Sequence, residues 1–326
     1  MLSFHTPCKA RLPSAGATAI PAGVSWIDAL RPSEPEIVFL ERTLGIEVPT
    51  LEDLSEIETS SRLRSEKDWL YLSIPMVYRQ EGFMPALTPL GFAMSKDMLL
   101  TVRFKHLKPF DALQDNIPRF PMQPGGAGAL AAILESIVEH AADMLEGVGG
   151  ELDGVSEEIF GAEGGANGQH RPREDSERLR LVMRKIGRYG DLTSKLEDLL
   201  LGLSRLLPYV MVNAAAYIDS GLRARFKSLQ RDVASLNDYE THLTGKVHFL
   251  LDAVLGQTNI EQNNIFRILT VVSVIGIPPT FFASLWGMNF KFMPDLDWSF
   301  GYAYAIAVIA LSAIVPAIWF KKNGWW

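Results

Sequence analysis

Residues 268–290 read ILTVVSVIGIPPTFFASLWGMNF, 23 positions without a charged side chain, and residues 298–320 read WSFGYAYAIAVIALSAIVPAIWF, another 23. Each exceeds the roughly 20 residues that a helix needs to cross about 30 Å of hydrocarbon at 1.5 Å per residue. Buried core helices are the competing explanation, but uncharged runs of this length are rare in soluble cores. Two transmembrane helices are expected, spanning about residues 266–288 and 299–320. Only residues 291–297 separate the runs, so the two form a hairpin. Arg267 precedes the first run and Lys321 and Lys322 follow the second, while the loop sets Lys291 against Asp295 and Asp297. Basic flanks stay inside, which predicts a multi-pass protein of the plasma (inner) membrane with both termini cytoplasmic and the loop outside. Trp286, Trp298, Tyr302, Trp319, Trp325 and Trp326 sit near the run ends, where interfacial aromatics gather.

Upstream of about residue 264 the chain reads as an ordinary charged, soluble sequence. The formal net charge of −7 and the lack of a basic stripe argue against nucleic acid as a partner. The single cysteine, Cys8, permits no internal disulfide and suits a reducing compartment. The first residues show no charged segment followed by an apolar core, so no cleavable signal peptide is expected. Cys8 lies in a terminus that looks poorly ordered.

Outward from the hairpin, three regions are expected. Residues 1–120 form a cytoplasmic α/β domain, with strands at 69–74 and 98–102 and helices at 34–44 and 50–57, the latter opening on a Thr50/Asp53 capping box. Residues 121–264 form a helical stalk or bundle, and residues 265–326 the transmembrane domain. Within the stalk, 118–128 and 161–168 are breaker and turn segments, and helices are predicted at 129–160 and 176–207. The fold class is thus α+β, a small sheet plus a long helical bundle, with two C-terminal transmembrane helices.

From about residue 221 no proline interrupts the pattern until Pro278. Leu222, Phe226, Leu229, Val233, Leu236, Leu243, Val247, Leu250 and Val254 recur at spacings of three, four and seven, the stripe of a long packed helix. If it continues into the first span it covers about 60 residues, roughly 90 to 100 Å, and needs partners along its length. Two helices broken near residues 256–259 are the alternative. Asp232, Asp238 and Glu240 on this stretch are candidate cytoplasmic carboxylates, with a solvated helix face as the plainer explanation. His242 and His248 are six apart, wrong for shared ligation on a helix.

Within the first span Phe266, Leu269 or Thr270, Ser273, Ile277, Thr280, Ser284 and Gly287 share one side of a 3.6-residue helix. Small and hydroxyl residues there suit close helix packing and pore lining equally. Pro278 and Pro279 each remove a backbone donor mid-span, which is tolerated where protein or water satisfies the freed carbonyls.

Trp286-Gly287-Met288-Asn289-Phe290, followed by Met293-Pro294-Asp295-Leu296, resembles the CorA family of magnesium channels, whose pore helix ends in Gly-Met-Asn before a Met-Pro-Glu-Leu-like loop. Asp295 replaces the usual glutamate and Trp286 a common tyrosine. Lys321 and Lys322 make a shorter basic end than is usual. The likeness is specific over residues 263–326 and looser at Trp26-Ile27-Asp28 and Leu51-Glu52-Asp53-Leu54. It implies a homopentameric funnel in which Gly287, Met288 and Asn289 form the selectivity filter, and it places Asn263, Phe266, Leu269, Ile277 and Thr280 along the conduction path, to which the shared helix face adds Ser273 and Ser284 as pore-lining candidates. Magnesium dehydrates reluctantly, so a ring of Asn289 amide oxygens would recognise its water shell. Gly287 would let the backbone turn at the mouth, and rings of Asp295 and Asp297 would concentrate cations outside. The ligand implied is Mg2+, transported and also regulatory, with Co2+ and Ni2+ as further ions. No organic cofactor is implied, and membrane lipid and further copies of the chain are the partners. No G-x-x-x-x-G-K-[ST] loop occurs, so the reading is a channel and not an enzyme. A zinc transporter of the related ZntB type and a non-conducting membrane-anchored structural or signalling oligomer are the competing functions.

Overall fold

The computed structural model describes residues 1–6, 9–12, 19–56, 58, 62–78, 84–115, 122–161, 172–288 and 298–325. Two compact units emerge, Met1–Ala166 with Leu181–Leu251, and Asn167–Arg180 with Asp252–Trp326.

The first unit is built on a seven-stranded sheet. Its strands are β1 (Leu2–Thr6), β2 (Lys9–Leu12), β3 (Trp26–Leu30), β4 (Leu63–Glu66), β5 (Trp69–Tyr78), β6 (Ala86–Met94) and β7 (Leu99–Arg103), in the order β2-β1-β3-β7-β6-β5-β4. β3 and β7 pair in parallel, Asp28 opposite Thr101, and the other neighbours are antiparallel. Poor order is expected around Cys8, and the described residues on either side of it, Leu2–Thr6 and Lys9–Leu12, are strands. Leu2–Thr6 hydrogen-bonds along β3 and is pinned where the Met1 ammonium donates to Leu30 O and to Glu36, at 2.9 and 2.8 Å. Cys8 lies outside the described residues.

One sheet face is covered by α1 (Glu34–Leu44) and α2 (Leu51–Ser55), which bury Leu40 and Leu54 against Phe4, Ile27, Ala29, Leu100 and Val102. Alternation does this: residues two apart along β3 and β7 face the same side. Both helices start on a capping box. Ser33 is closed by Glu36, and at α2 the Asp53 amide donates to Thr50 Oγ1 at 3.3 Å while Asp53 Oδ2 accepts from the Thr50 amide at 2.8 Å. Gly91 on β6 supplies the room for Leu54, whose methyls would lie 2.7 Å from any Cβ at that position.

The opposite side carries α3 (Lys108–Asp115) and the long helices α4 (Gly126–Phe160), α5 (Pro172–Asn213) and α6 (Ser220–Trp286). α4 is the central one. Its first nine residues are all buried, and Leu145, Leu152 and Val155 continue the core. α5 runs on through Pro208 beyond the expected end at 207. The long apolar stripe behaves as its spacing predicts: Leu222, Phe226, Leu229, Val233, Leu243, Leu250 and Val254 are buried, and Leu236 and Val247 half-buried. α6 is one helix of 67 residues, with no break at 256–259.

Glu240 departs from the solvated-face expectation. It is only 3% exposed, because it stands three and four residues from Leu243 and Leu236 on the apolar stripe, whereas Asp232 and Asp238 are exposed. Thr244 donates to its carboxylate at 2.7 Å. Burial pushes the carboxyl above its ordinary value of 4.5, the Thr244 bond opposes this, and the Glu197 charge adds to it. A raised carboxyl stabilises the fold below the unfolded value, and that contribution is lost as pH rises through the folded value. Glu240→Gln mimics the protonated form, so at pH 7 its thermal midpoint should rise by about 2–4 °C. The gain should vanish below pH 4.5, and a thermal melt followed across pH 4 to 8 checks both.

Candidate membrane pore

In the second unit, α6 over its C-terminal part and α7 (Gly301–Lys322) are both long and apolar enough to cross a membrane. None of the apolar window of α6 is buried and almost none of that of α7. A soluble core helix would be mostly covered, so the core-helix alternative fails on exposure. Phe266 is 64% exposed and Ile277 65%.

The exposure that remains is ordered. On α6 the less exposed positions include Val271, Ile275, Pro278, Pro279, Phe282 and Trp286. On α7 they include Ala305, Val308, Ile309, Ser312, Ala313, Pro316, Ala317 and Phe320. Each set is one stripe at helical spacing. Trp286 meets Tyr304 edge-on at 6.2 Å, and Tyr304 lies against Trp298 at 5.7 Å. Trp319, Phe320 and Trp325 cluster at the other end of α7, so aromatics mark both ends of the hairpin. Lys321 and Lys322 close the last turn of α7, where cations suit the helix dipole.

At about 100° per residue, Val271, Ile275, Phe282 and Trp286 occupy about 60° of arc. Phe266, Ser273, Ile277, Thr280 and Ser284 occupy about 60° centred diametrically opposite, with Asn263, Leu269 and Gly287 within about 70° of that centre. All of these are exposed except Ser273, which is half-buried. The face with the pore candidates therefore points away from α7. Thr280 Oγ1 donates to Gly276 O at 2.7 Å and Thr270 Oγ1 to Phe266 O at 2.7 Å, so each hydroxyl keeps its lone pairs for an outside donor. The helix is not interrupted at Pro278 and Pro279.

Gly287 ends the helix, its amide donating to Ala283 O at 3.0 Å, and Met288 beyond it is exposed. Gly287 is not in the left-handed region. A Cβ at this position would lie 3.2 Å from Ala283 O. Asn289, Asp295 and Asp297 lie outside the described residues, as do Met293, Pro294 and Leu296. Among the described residues no three His, Cys, Asp or Glu side chains gather as a metal-holding group.

Residues 21–322 match the family model described as CorA-like Mg2+ transporter protein. The magnesium transport protein CorA of Yersinia pseudotuberculosis serotype I (strain IP32953) is 30% identical over 301 residues, 92% of this chain and 91% of that protein. The complete structure of the CorA magnesium transporter from Methanocaldococcus jannaschii superposes with a TM-score of 0.74 at 21% identity, over 97% of this chain and 95% of the other. The full-length CmaX protein superposes at 0.68 and 15% identity, over 98% and 96%. The two structural matches carry the fold, a mixed sheet with long helices and two C-terminal apolar helices. With the exposed hairpin, the full-length family match and a 30% identical relative, this chain belongs to the CorA-like Mg2+ transporter family, membrane proteins with two C-terminal transmembrane helices that are transporters and not enzymes.

Proposed function

We propose that this chain is a magnesium channel in which several copies of α6 surround a central conduction path. The observation that supports it best is the two-sided character of α6: one stripe is turned to α7, and the face of Phe266, Ser273, Ile277, Thr280 and Ser284 is turned away from it. A single copy leaves that second face uncovered, and a symmetric ring covers it. Five copies is the number that the family resemblance implies.

In this reading a ring of Asn289 amide oxygens accepts hydrogen bonds from the water shell of Mg2+ without stripping it. Gly287 and Met288 complete the filter, and Asp295 and Asp297 concentrate cations at the outer mouth. Apolar rings at Phe266, Leu269 and Ile277 close the path by dewetting, with the Ser273 hydroxyl between them, those of Thr280 and Ser284 above them and the amide of Asn263 below them as polar stations. Both termini stay in the cytoplasm and the protein resides in the inner membrane. A divalent ion entering through 100 mV, interior negative, gains about 4.6 kcal/mol, enough to drive uptake without ATP. Co2+ and Ni2+, similar hydrated divalent ions, follow the same path. Mg2+ is the cargo and also binds cytoplasmic regulatory sites.

The test is ion uptake into liposomes that hold the purified chain, a magnesium-sensitive dye and an imposed interior-negative potential. Magnesium should accumulate with a rate that grows with the potential. Zinc accumulation without magnesium flux would select the zinc-transporter reading, and no flux of either ion the non-conducting oligomer.

A further inference from the structure

A cavity of about 500 Å3 opens in the sheet-bearing unit, between the end of β5, the segment after β7, and facing surfaces of α4 and α5. In a chain of net charge −7 its lining has an unexpected sign. Lys108 and Arg188 line it together with His106 and His140, against one carboxylate, Glu151. That carboxylate is engaged, accepting from the Tyr189 hydroxyl at 2.7 Å. Among the described residues neither Lys108 nor Arg188 makes an ion pair. Lys105 lies 5.3 Å from the ring centre of Tyr78.

The rest of the lining is mostly apolar, Leu107, Met144, Val148 and Leu192 among it, together with Tyr78 and Tyr189. Gly147 also lines the cavity, and a Cβ there would meet nothing within 4 Å. Glycine is disfavoured inside a helix, and at this position the missing side chain is cavity volume. Burial, reinforced by the Lys108 charge and opposed by Asp143, pulls the His140 imidazole below its ordinary value. At neutral pH it offers one N–H donor and adds no charge.

We propose that this cavity binds a nucleoside phosphate, with Lys108 and Arg188 holding the phosphate and the base lying against a tyrosine ring. Its size falls in the range of small-molecule sites, roughly 300–1,000 Å3, built from apolar walls and a few converging polar groups. Unpaired Lys and Arg suit phosphate oxygens, Arg through its planar fork. Tyrosine faces suit a planar base. Inorganic phosphate alone would leave the apolar half of the space unfilled. The site stands apart from the transport reading and does not depend on it.

Calorimetric titration of the full chain in detergent, with chelator present to remove divalent ions, tests it with AMP, adenosine and inorganic phosphate as probes. AMP should bind at least tenfold more tightly than either fragment. Lys108→Ala with Arg188→Ala should weaken AMP at least tenfold and leave adenosine unchanged. Gly147→Leu should abolish binding of both while the thermal transition is retained, and if that variant fails to fold the alanine pair still decides. AMP heats equal to dilution, phosphate binding as tightly as AMP, or AMP affinity unmoved by the alanine pair would overturn the proposal.

Discussion

Asn289→Ala should lower magnesium uptake into liposomes by roughly two orders of magnitude while the oligomer still assembles. In the proposed filter each Asn289 amide contributes one acceptor to the water shell of the passing ion. A net hydrogen bond is worth about 0.5–1.5 kcal/mol, so in the proposed five-copy ring five lost together remove about 2.5–7.5 kcal/mol. At 1.4 kcal/mol per decade the lower bound is already close to a hundredfold. Alanine carries no polar group, so nothing replaces the lost acceptors. The packing stripe of Val271, Ile275, Phe282 and Trp286 is untouched, and size-exclusion behaviour should match the parent chain. Uptake at the parent rate from Asn289→Ala would remove the filter from this corner of the chain. Complementation of a cell that depends on supplied magnesium gives the same answer in vivo.

The hairpin was legible from residues 268–290 and 298–320 because an uncharged run as long as a membrane is thick seldom arises in a soluble core. The apolar stripe of α6 was legible for a similar reason: nine residues repeating at three, four and seven leave little choice of face. Strands were harder to see. β4, with Leu63, Arg64, Ser65 and Glu66, ends the sheet and is mostly exposed, so it lacks alternation. In β6 Pro89 and Gly91 break the pattern that its pairing with β5 restores. β1 follows no strand signal strong enough to outweigh Pro7 and Pro13, and it exists because β3 offers it an edge. Glu240 could have been found, since positions 236, 240 and 243 continue the stripe. The cavity could not, because Tyr78, Lys108, His140 and Arg188 meet only through tertiary packing. On the pore side, the sequence defined a face of α6 but left lining and packing equally open. Exposure of that face in a single copy shows only that α7 does not cover it.

Asp28→Ala should destabilise the sheet-bearing unit by about 3–5 kcal/mol, a large share of the roughly 5–15 kcal/mol that holds a domain folded. Asp28 on β3 and Arg103 on β7 are 3% and 4% exposed and joined by a forked pair, Nη2 to Oδ2 at 2.8 Å and Nε to Oδ1 at 3.0 Å. The remaining valences are used as well. Thr101 Oγ1 donates to Asp28 Oδ1 at 2.9 Å, and Trp26 Nε1 donates to Thr101 Oγ1 at 3.0 Å. The guanidinium lies 4.5 Å from the ring centre of Phe110, where its cation meets the ring face. Removing the carboxylate leaves a buried guanidinium without its counter-charge, and that unpaired charge is the main cost. Lysine for Arg103 would lose the fork and should also destabilise. Replacing both partners, as Asp28→Leu with Arg103→Met, removes both charges at similar volume, so most of the lost stability should return. Amide exchange along β3 and β7 reads this directly. Asp28→Ala should speed the slowest amides by two to three decades, at about 1.4 kcal/mol per decade, and the double variant should recover most of it. If the double variant exchanges as fast as Asp28→Ala, the pair is not held by charge compensation and the sheet depends on the shape of these two side chains instead.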